Sequence, residues 1–274
     1  MALRASRSTW THRSRSAFLC AFCALVLGLA GGVAAESALE LPAPDVLGQI
    51  QAETYDESGE RVGSAELGIS ELPSGLYELR SSSGIDGSAR ARVRAELETL
   101  TNGQLRPVFQ ETEARDEQGR SLGLTTIDHR RRVATCGVPE GSDAVPVALA
   151  LPAEDRVANV PLNLLFQPLV TGEKARIEFQ VLLCRAGARL VDAHARVAQR
   201  LDRDAGHLVE IRYDLDFGPV LSRLAAPFMP QLSFWFDEST PGGWVAHRMP
   251  LFSKGPTVLV VRNGFTPTAL GTAH

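Results

Sequence analysis

The chain has 274 residues, is 44% hydrophobic, and carries 28 basic against 32 acidic residues for a net charge of −4. Four of the basic residues, Arg4, Arg7, Arg13 and Arg15, precede the first acid, Glu36, so residues 36–274 hold 24 basic against 32 acidic residues and a net charge of −8. That balance argues against a nucleic-acid partner and against an electrostatic hold on anionic lipid, since both need a net basic face.

The opening segment combines those arginines with an apolar run from Ala17 to Ala30 and small residues from Gly31 to Ala35. A basic stretch, a short apolar stretch, and Val33 and Ala35 at the third and first positions before a cut form the pattern of a secretory signal peptide covering 1–35. Cys20 and Cys23 lack the small preceding residues of a lipoprotein signal. The expected product is an exported protein of the periplasm or the outer-membrane periphery, with no membrane-spanning segment once the signal is removed. Cleavage leaves 239 residues (274 − 35) as a single domain, 36–274, long enough for a sizeable core. It also leaves two cysteines, Cys136 and Cys184. An even count in an oxidising compartment favours a disulfide between them, and two separate buried thiols are the other reading.

Beyond a Pro-containing leader, Leu41 to Pro44, extended runs alternate with turns at Asp56–Glu60, Pro73–Gly75, Gly84–Gly87, Asn102–Gly103 and Asp116–Arg120. A turn about every ten residues is the mark of an up-and-down β structure. Asn102–Gly103 is the most specific of them, because both residues tolerate the positive φ of a two-residue hairpin. Val138 to Pro152 reads as an irregular crossover. At Pro161–Leu169 the side chains Leu162, Leu165, Phe166 and Leu169 fall at helical spacing behind a proline suited to a first turn, which predicts a short helix with an apolar stripe.

From Ala175 to Phe217 apolar side chains occupy every second position: Ile177 to Leu183, Val191 to Val197, then Val209 to Phe217. A period of two places them on one face of a pleated sheet, with polar residues such as Glu178, Asp192 and Arg212 on the other. Gly218 to Pro230 carries Leu221, Leu224 and Phe228 at helical spacing and predicts a second short helix, with Trp235 expected to pack beneath it. Strands resume at Leu232–Asp237, Trp244–Leu251 and Thr257–Arg262. The fold class is therefore mainly β: a curved antiparallel meander of about a dozen strands, a half-barrel or open barrel, with two short helices on the concave side.

Chemistry-bearing motifs are sparse. None of His129, His194, His207, His247 and His274 has a metal-ligand spacing, and the serines lack a nucleophile elbow, so no catalytic residue, metal or cofactor is assigned. All five histidines read as solvated. His129-Arg130-Arg131-Arg132 is the one basic run; it is a solvated turn, or else Arg131 is the first candidate to meet a lipid headgroup. The densest apolar cluster surrounds Phe234-Trp235-Phe236. A concave apolar face of this kind would bring Leu165, Phe166, Phe228, Phe234 and Phe236 to a ligand.

With the signal peptide, the crossover at Pro161–Gly172 and the closing hairpin FWFD, STPGG, WVAHRMPL (Phe234 to Leu251), the chain resembles a broad group of exported bacterial β-sheet proteins of unknown function. These are similar in outline to the periplasmic lipoprotein carriers, whose curved half-barrel holds acyl chains against short helices. The resemblance implies a non-enzymatic protein that binds an apolar or amphipathic partner, a lipid or a lipoprotein. The alternative is an envelope structural or assembly factor that contacts a protein partner, and a hydrolase is the third reading.

Overall fold

The computed structural model describes residues 39–44, 47–185, 187–203, 206–218, 231–240 and 243–270. The signal segment 1–35 and the second predicted helix, with Phe228, lie outside these residues. The strands are β1 (Gly48–Tyr55), β2 (Arg61–Glu71), β3 (Tyr77–Ile85), β4 (Ala89–Thr99), β5 (Leu105–Asp116), β6 (Ser121–Asp128) and β7 (Val133–Cys136). They continue as β8 (Val147–Ala150), β9 (Ile177–Leu183), β10 (Arg189–Arg203), β11 (Gly206–Asp216), β12 (Leu232–Asp237), β13 (Trp244–Pro250) and β14 (Thr257–Arg262). All fourteen form one antiparallel sheet in the order β8-β7-β6-β5-β4-β3-β2-β1-β14-β13-β12-β11-β10-β9. Strand β8 sits in the stretch read from its prolines as an irregular crossover. The predicted helix is present as two short turns, α1 (Leu162–Leu165) and α2 (Gln167–Val170), hinged at Phe166.

The hairpins share one solution. In four of them a three-residue loop ends in a glycine at φ near 80°: Gly59, Gly75, Gly103 and Gly119. The residue before each loop takes a hydrogen bond from that glycine's N–H and donates to the carbonyl of the residue after the loop, as in Leu100 with Gly103 and Gln104. The Asn102–Gly103 signal thus makes a three-residue turn with a bulge instead of a two-residue one. Asn102 sits mid-loop and its side-chain oxygen accepts from the Gln104 N–H at 3.0 Å.

One face of the sheet packs on α1 and α2 and is here called the inner face. Leu162, Leu165, Phe166 and Leu169 are buried there among Ile177, Phe179, Ala193, Ile211, Tyr213, Phe234, Phe236, Val258 and Val260. This is the apolar face expected from the alternation of β9 to β11. Register carries the inner face around to Gln110 on β5, Ile127 on β6 and Ala134 and Cys136 on β7.

These last residues do not meet the helices. Ile127, Ala134 and Cys136 form a second cluster with Leu182, Cys184 and Leu190, which lie on the outer face of β9 and β10, and with Leu151 and Val157 from the strap between β8 and α1. The sheet is rolled so that the inner face of one end overlaps the outer face of the other. Its hydrogen-bonded ladder stays open, because no rung joins β8 to β9. The strap takes that place on β9: Ala158 N–H donates to Gln180 O at 2.8 Å and Gln180 N–H to Arg156 O at 2.9 Å.

Candidate functional site

The overlap is fastened in two ways. Cys136 and Cys184 are joined by a disulfide, with their Cα atoms 5.5 Å apart. Gln110, 1% exposed, reaches from β5 into the strap. Its Oε1 accepts from the backbone N–H of Asn159 at 2.9 Å and of Val160 at 3.0 Å, and its Nε2 donates to Val157 O at 3.1 Å. The same amide nitrogen faces His129 Nε2 at 2.7 Å, while His129 Nδ1 lies 2.6 Å from Asp155 Oδ2. Because the amide must donate to Nε2, the imidazole proton belongs on Nδ1, pointing at Asp155. His129, its side chain 11% exposed, is therefore a half-buried structural group and not the solvated residue its sequence context suggests. Sequence reasoning missed Gln110 altogether, since one glutamine in a polar strand carries no signal.

The predicted ligand-contacting residues fall into three places. Leu165, Phe166, Phe234 and Phe236 are brought together, with exposures of 3%, 0%, 4% and 0%. Phe166 is the hub, with ring centroids 5.2 Å from Phe234, 5.8 Å from Tyr213 and 5.9 Å from Phe179. They form the packed interior. Phe228 is outside the described residues. Arg131 lies in the β6–β7 turn, 84% exposed, with its backbone N–H donating to Asp128 at 2.8 Å and its guanidinium 3.6 Å from the same carboxylate.

Half-buried apolar side chains gather where the roll ends. At the end carrying the β3–β4 and β5–β6 turns these are Ile85, Leu122, Leu183, Leu215, Met249 and Phe252, all packed on the inner core. The chain leaves β11 toward Gly218 and re-enters β12 from Gln231 at this same end. Arg131 sits at the far end of β6 from Leu122, so the structure does not bring it to this rim. The sequence held a trace of the rim in Met249 and Phe252, which belong to the aromatic-rich hairpin.

The inner wall has few polar groups. His247 lies in register between Phe234 on β12 and Val260 on β14. Its ring is stacked on Phe234 at 5.4 Å and stands 5.5 Å from Trp244. No hydrogen-bond partner faces it among the described residues, and loss of hydration lowers its pKa to about 4, so it is neutral near pH 7. Burial likewise pushes the Tyr213 hydroxyl well above its ordinary range. Thr54 Oγ1, in the same row of the sheet, is buried without a partner.

The outer face is not uniformly wet. Trp235, Leu208, Ala246 and Val261 cluster there with Leu270 of the 3-10 turn Pro267–Leu270, and the Arg248 guanidinium stands 6.0 Å over the Trp235 ring. Glu210, 2% exposed, is held by Ser233 at 2.9 Å, Gln199 at 2.6 Å and Arg212 at 2.8 Å. Over β2 to β5 the outer face forms a cavity of about 590 Å³ lined by Arg80, Arg90, Arg92, Arg94, Glu66 and Glu111 among others. Glu78 beside it is pushed up by burial, but hydrogen bonds from Arg80 and Arg94 outweigh this and hold the carboxyl below its ordinary value. Acids and arginines alternate there, so the cavity presents no single sign of charge.

Among the described residues no group of three or more His, Cys, Asp or Glu side chains is placed to hold a metal, and no helix is long and apolar enough to cross a membrane. The coordinates define a mainly β protein built on one rolled fourteen-strand meander. No protein-family model and no curated protein matches the chain. Among solved structures it is similar to a beta-barrel-like protein of the domain of unknown function DUF1849 from Brucella abortus. The two share 9% sequence identity over 82% of this chain and 96% of that one, with a TM-score of 0.42.

Proposed function

We propose that this is an exported, non-enzymatic protein that binds an apolar or amphipathic ligand, a lipid or the acyl chain of a lipoprotein, at the inner face of the rolled sheet. The observation that carries the reading is the rim of Ile85, Leu122, Leu183, Leu215, Met249 and Phe252, apolar side chains that keep partial exposure at one end of an apolar interior. Ligand sites are concave, mostly apolar and furnished with a few polar groups. Neutral His247, with one N–H and one bare nitrogen, is suited to hydrogen-bond a ligand's hydroxyl or ester without the cost of burying a charge. The likeness in pattern to the lipoprotein carriers supports the same class of ligand.

Titration of the protein with a dansyl-labelled C16 fatty acid tests this. Saturable one-site binding is expected. The double substitution Leu215→Asp, Phe252→Asp should weaken it by at least about tenfold, because each carboxylate would have to be desolvated beside the acyl chain. Absence of saturable binding by protein stripped of endogenous lipid, or equal affinity in the double variant, overturns the proposal.

A further inference from the structure

The apolar rim is interrupted by one cation. Arg189 opens β10 directly opposite Leu183, the last residue of β9. Residues opposed across an antiparallel ladder point to the same side of the sheet, and Leu183 packs on the inner core, so Arg189 stands on the inner face. Phe217 follows β11 at the same parity as Leu215, and the Arg189 guanidinium carbon lies 5.1 Å from the centre of its ring. Arginines of the outer face are used differently: Arg80 and Arg94 are held against Glu78, and Arg212 against Glu210. At the rim end the inner face carries one other charged strand residue among those described, Asp116, and Arg120 donates to it at 2.7 Å. Arg189 is exposed, and no carboxylate of the described residues pairs with it. Stacking engages the flat face of a guanidinium and leaves its N–H donors, which lie in its plane, open to an acceptor.

We propose that Arg189 receives the anionic head of the ligand, so that the class bound is an acyl chain ending in a carboxylate or a phosphate, with its apolar end toward the interior. This rests on the reading of the rim as a ligand site and narrows it. A guanidinium fork matches either oxyanion, two N–H groups to two oxygens. The half-buried Leu183 beside it and Leu215 next along the same face meet the first methylenes of the chain. Residues 36–274 carry a net charge of −8 and give anions no general attraction, so a preference for an anionic head depends on this one placed cation. The sequence pointed to Arg131 for such a contact, but the fold sets Arg131 at the far end and brings Arg189 to the rim.

Binding of hexadecanoate, hexadecyl phosphate and hexadecanol at about pH 8 tests this, because the three share one chain, differ in the head, and both acids are then ionised. Wild-type protein should bind at least one of the anions about tenfold tighter than the alcohol. The tighter of the two identifies the head as carboxylate or phosphate. Arg189→Gln should bring both anions to the affinity of the alcohol and leave that of the alcohol unchanged, which also reports a folded variant. Arg189→Glu should bind the anions more weakly than the alcohol, and carries the test where the glutamine variant does not fold. Equal affinities for all three in the wild type, or a preference for anions that survives either substitution, overturns the role of Arg189 while the apolar site stands. Binding of none of the three by the wild type overturns the site itself and this inference with it.

Discussion

Replacing Gln110 with leucine tests whether the strap, more than the sheet ladder, holds the roll shut. The substitution keeps the volume, so its cost comes from polar groups and not from a cavity. It strands three backbone groups, the half-buried N–H groups of Asn159 and Val160 and the buried carbonyl of Val157, and takes the donor from His129 Nε2. Each lost bond is worth about 1 kcal/mol net, more where the orphaned group stays dry, so the expected loss is about 3 to 4 kcal/mol. Urea unfolding measures that loss. Hydrogen exchange locates it, because the Asn159 and Val160 amides should exchange much faster while those of β12 to β14 keep their protection relative to global unfolding. A loss below about 1 kcal/mol, or exchange raised equally across the sheet, would refute the clamp, since water would then be replacing the amide at little cost.

Three further outcomes rest on the same geometry. Reducing the disulfide, or making Cys136→Ser with Cys184→Ser, should cost about 4 kcal/mol for a bridge spanning 48 residues; a change under about 1 kcal/mol would mean that the unfolded chain is not constrained by it. The His247 pKa lies below its unfolded value, so the unfolded chain binds the extra proton first: stability should rise as pH increases from about 4 to about 6.5 and be lost on acidification through that window. The His247 part is about 3 kcal/mol at most, reduced by the residue's partial exposure, and His247→Phe should flatten the profile, as urea midpoints measured across that range would show. Leu270→Asp should uncover Trp235 and red-shift its fluorescence with a loss of about 2 to 3 kcal/mol, while an unchanged spectrum would place the cover elsewhere.

The part of this fold that lay open in the sequence is the part governed by local rules. Alternation from Ile177 to Phe217 exposed the meander, the glycines at Gly59, Gly75, Gly103 and Gly119 marked its turns, and the cysteine count favoured the bridge. The overlap did not show, because alternation names two faces without saying what covers each. Its trace is a break in the alternation: Val181-Leu182-Leu183 and Leu190-Val191 place apolar side chains on both faces where the far end of the sheet lies over β9 and β10. Strand β8 was hidden by Pro146 and Pro152, which bound a strand here instead of excluding one. The inward turn of His247 and the partial burial of His129 depend on partners more than ten residues away, which no local pattern reports.

The way the roll is fastened also decides what each edge is free to do. A fourteen-strand sheet of this twist curls until its ends meet, and a ladder from β8 to β9 would remove both edges at once. Here the chain leaving β8 turns back and runs beside β9 before entering the interior as α1 and α2, so one segment occupies the β9 edge and fills the core. The cost is that, among the described residues, the outer edge of β8 is left unpaired, and the prolines that end it also restrict what can join it. Seam, core and rim are thereby coupled. Loosening the strap at Gln110 would both weaken the packing of Phe166 and reopen the β9 edge, so a Gln110→Leu protein should gain self-association at β9. Sedimentation velocity of the wild-type and Gln110→Leu proteins reads this, and a Gln110→Leu protein as monomeric as the wild type would show that the strap holds β9 without help from the clamp.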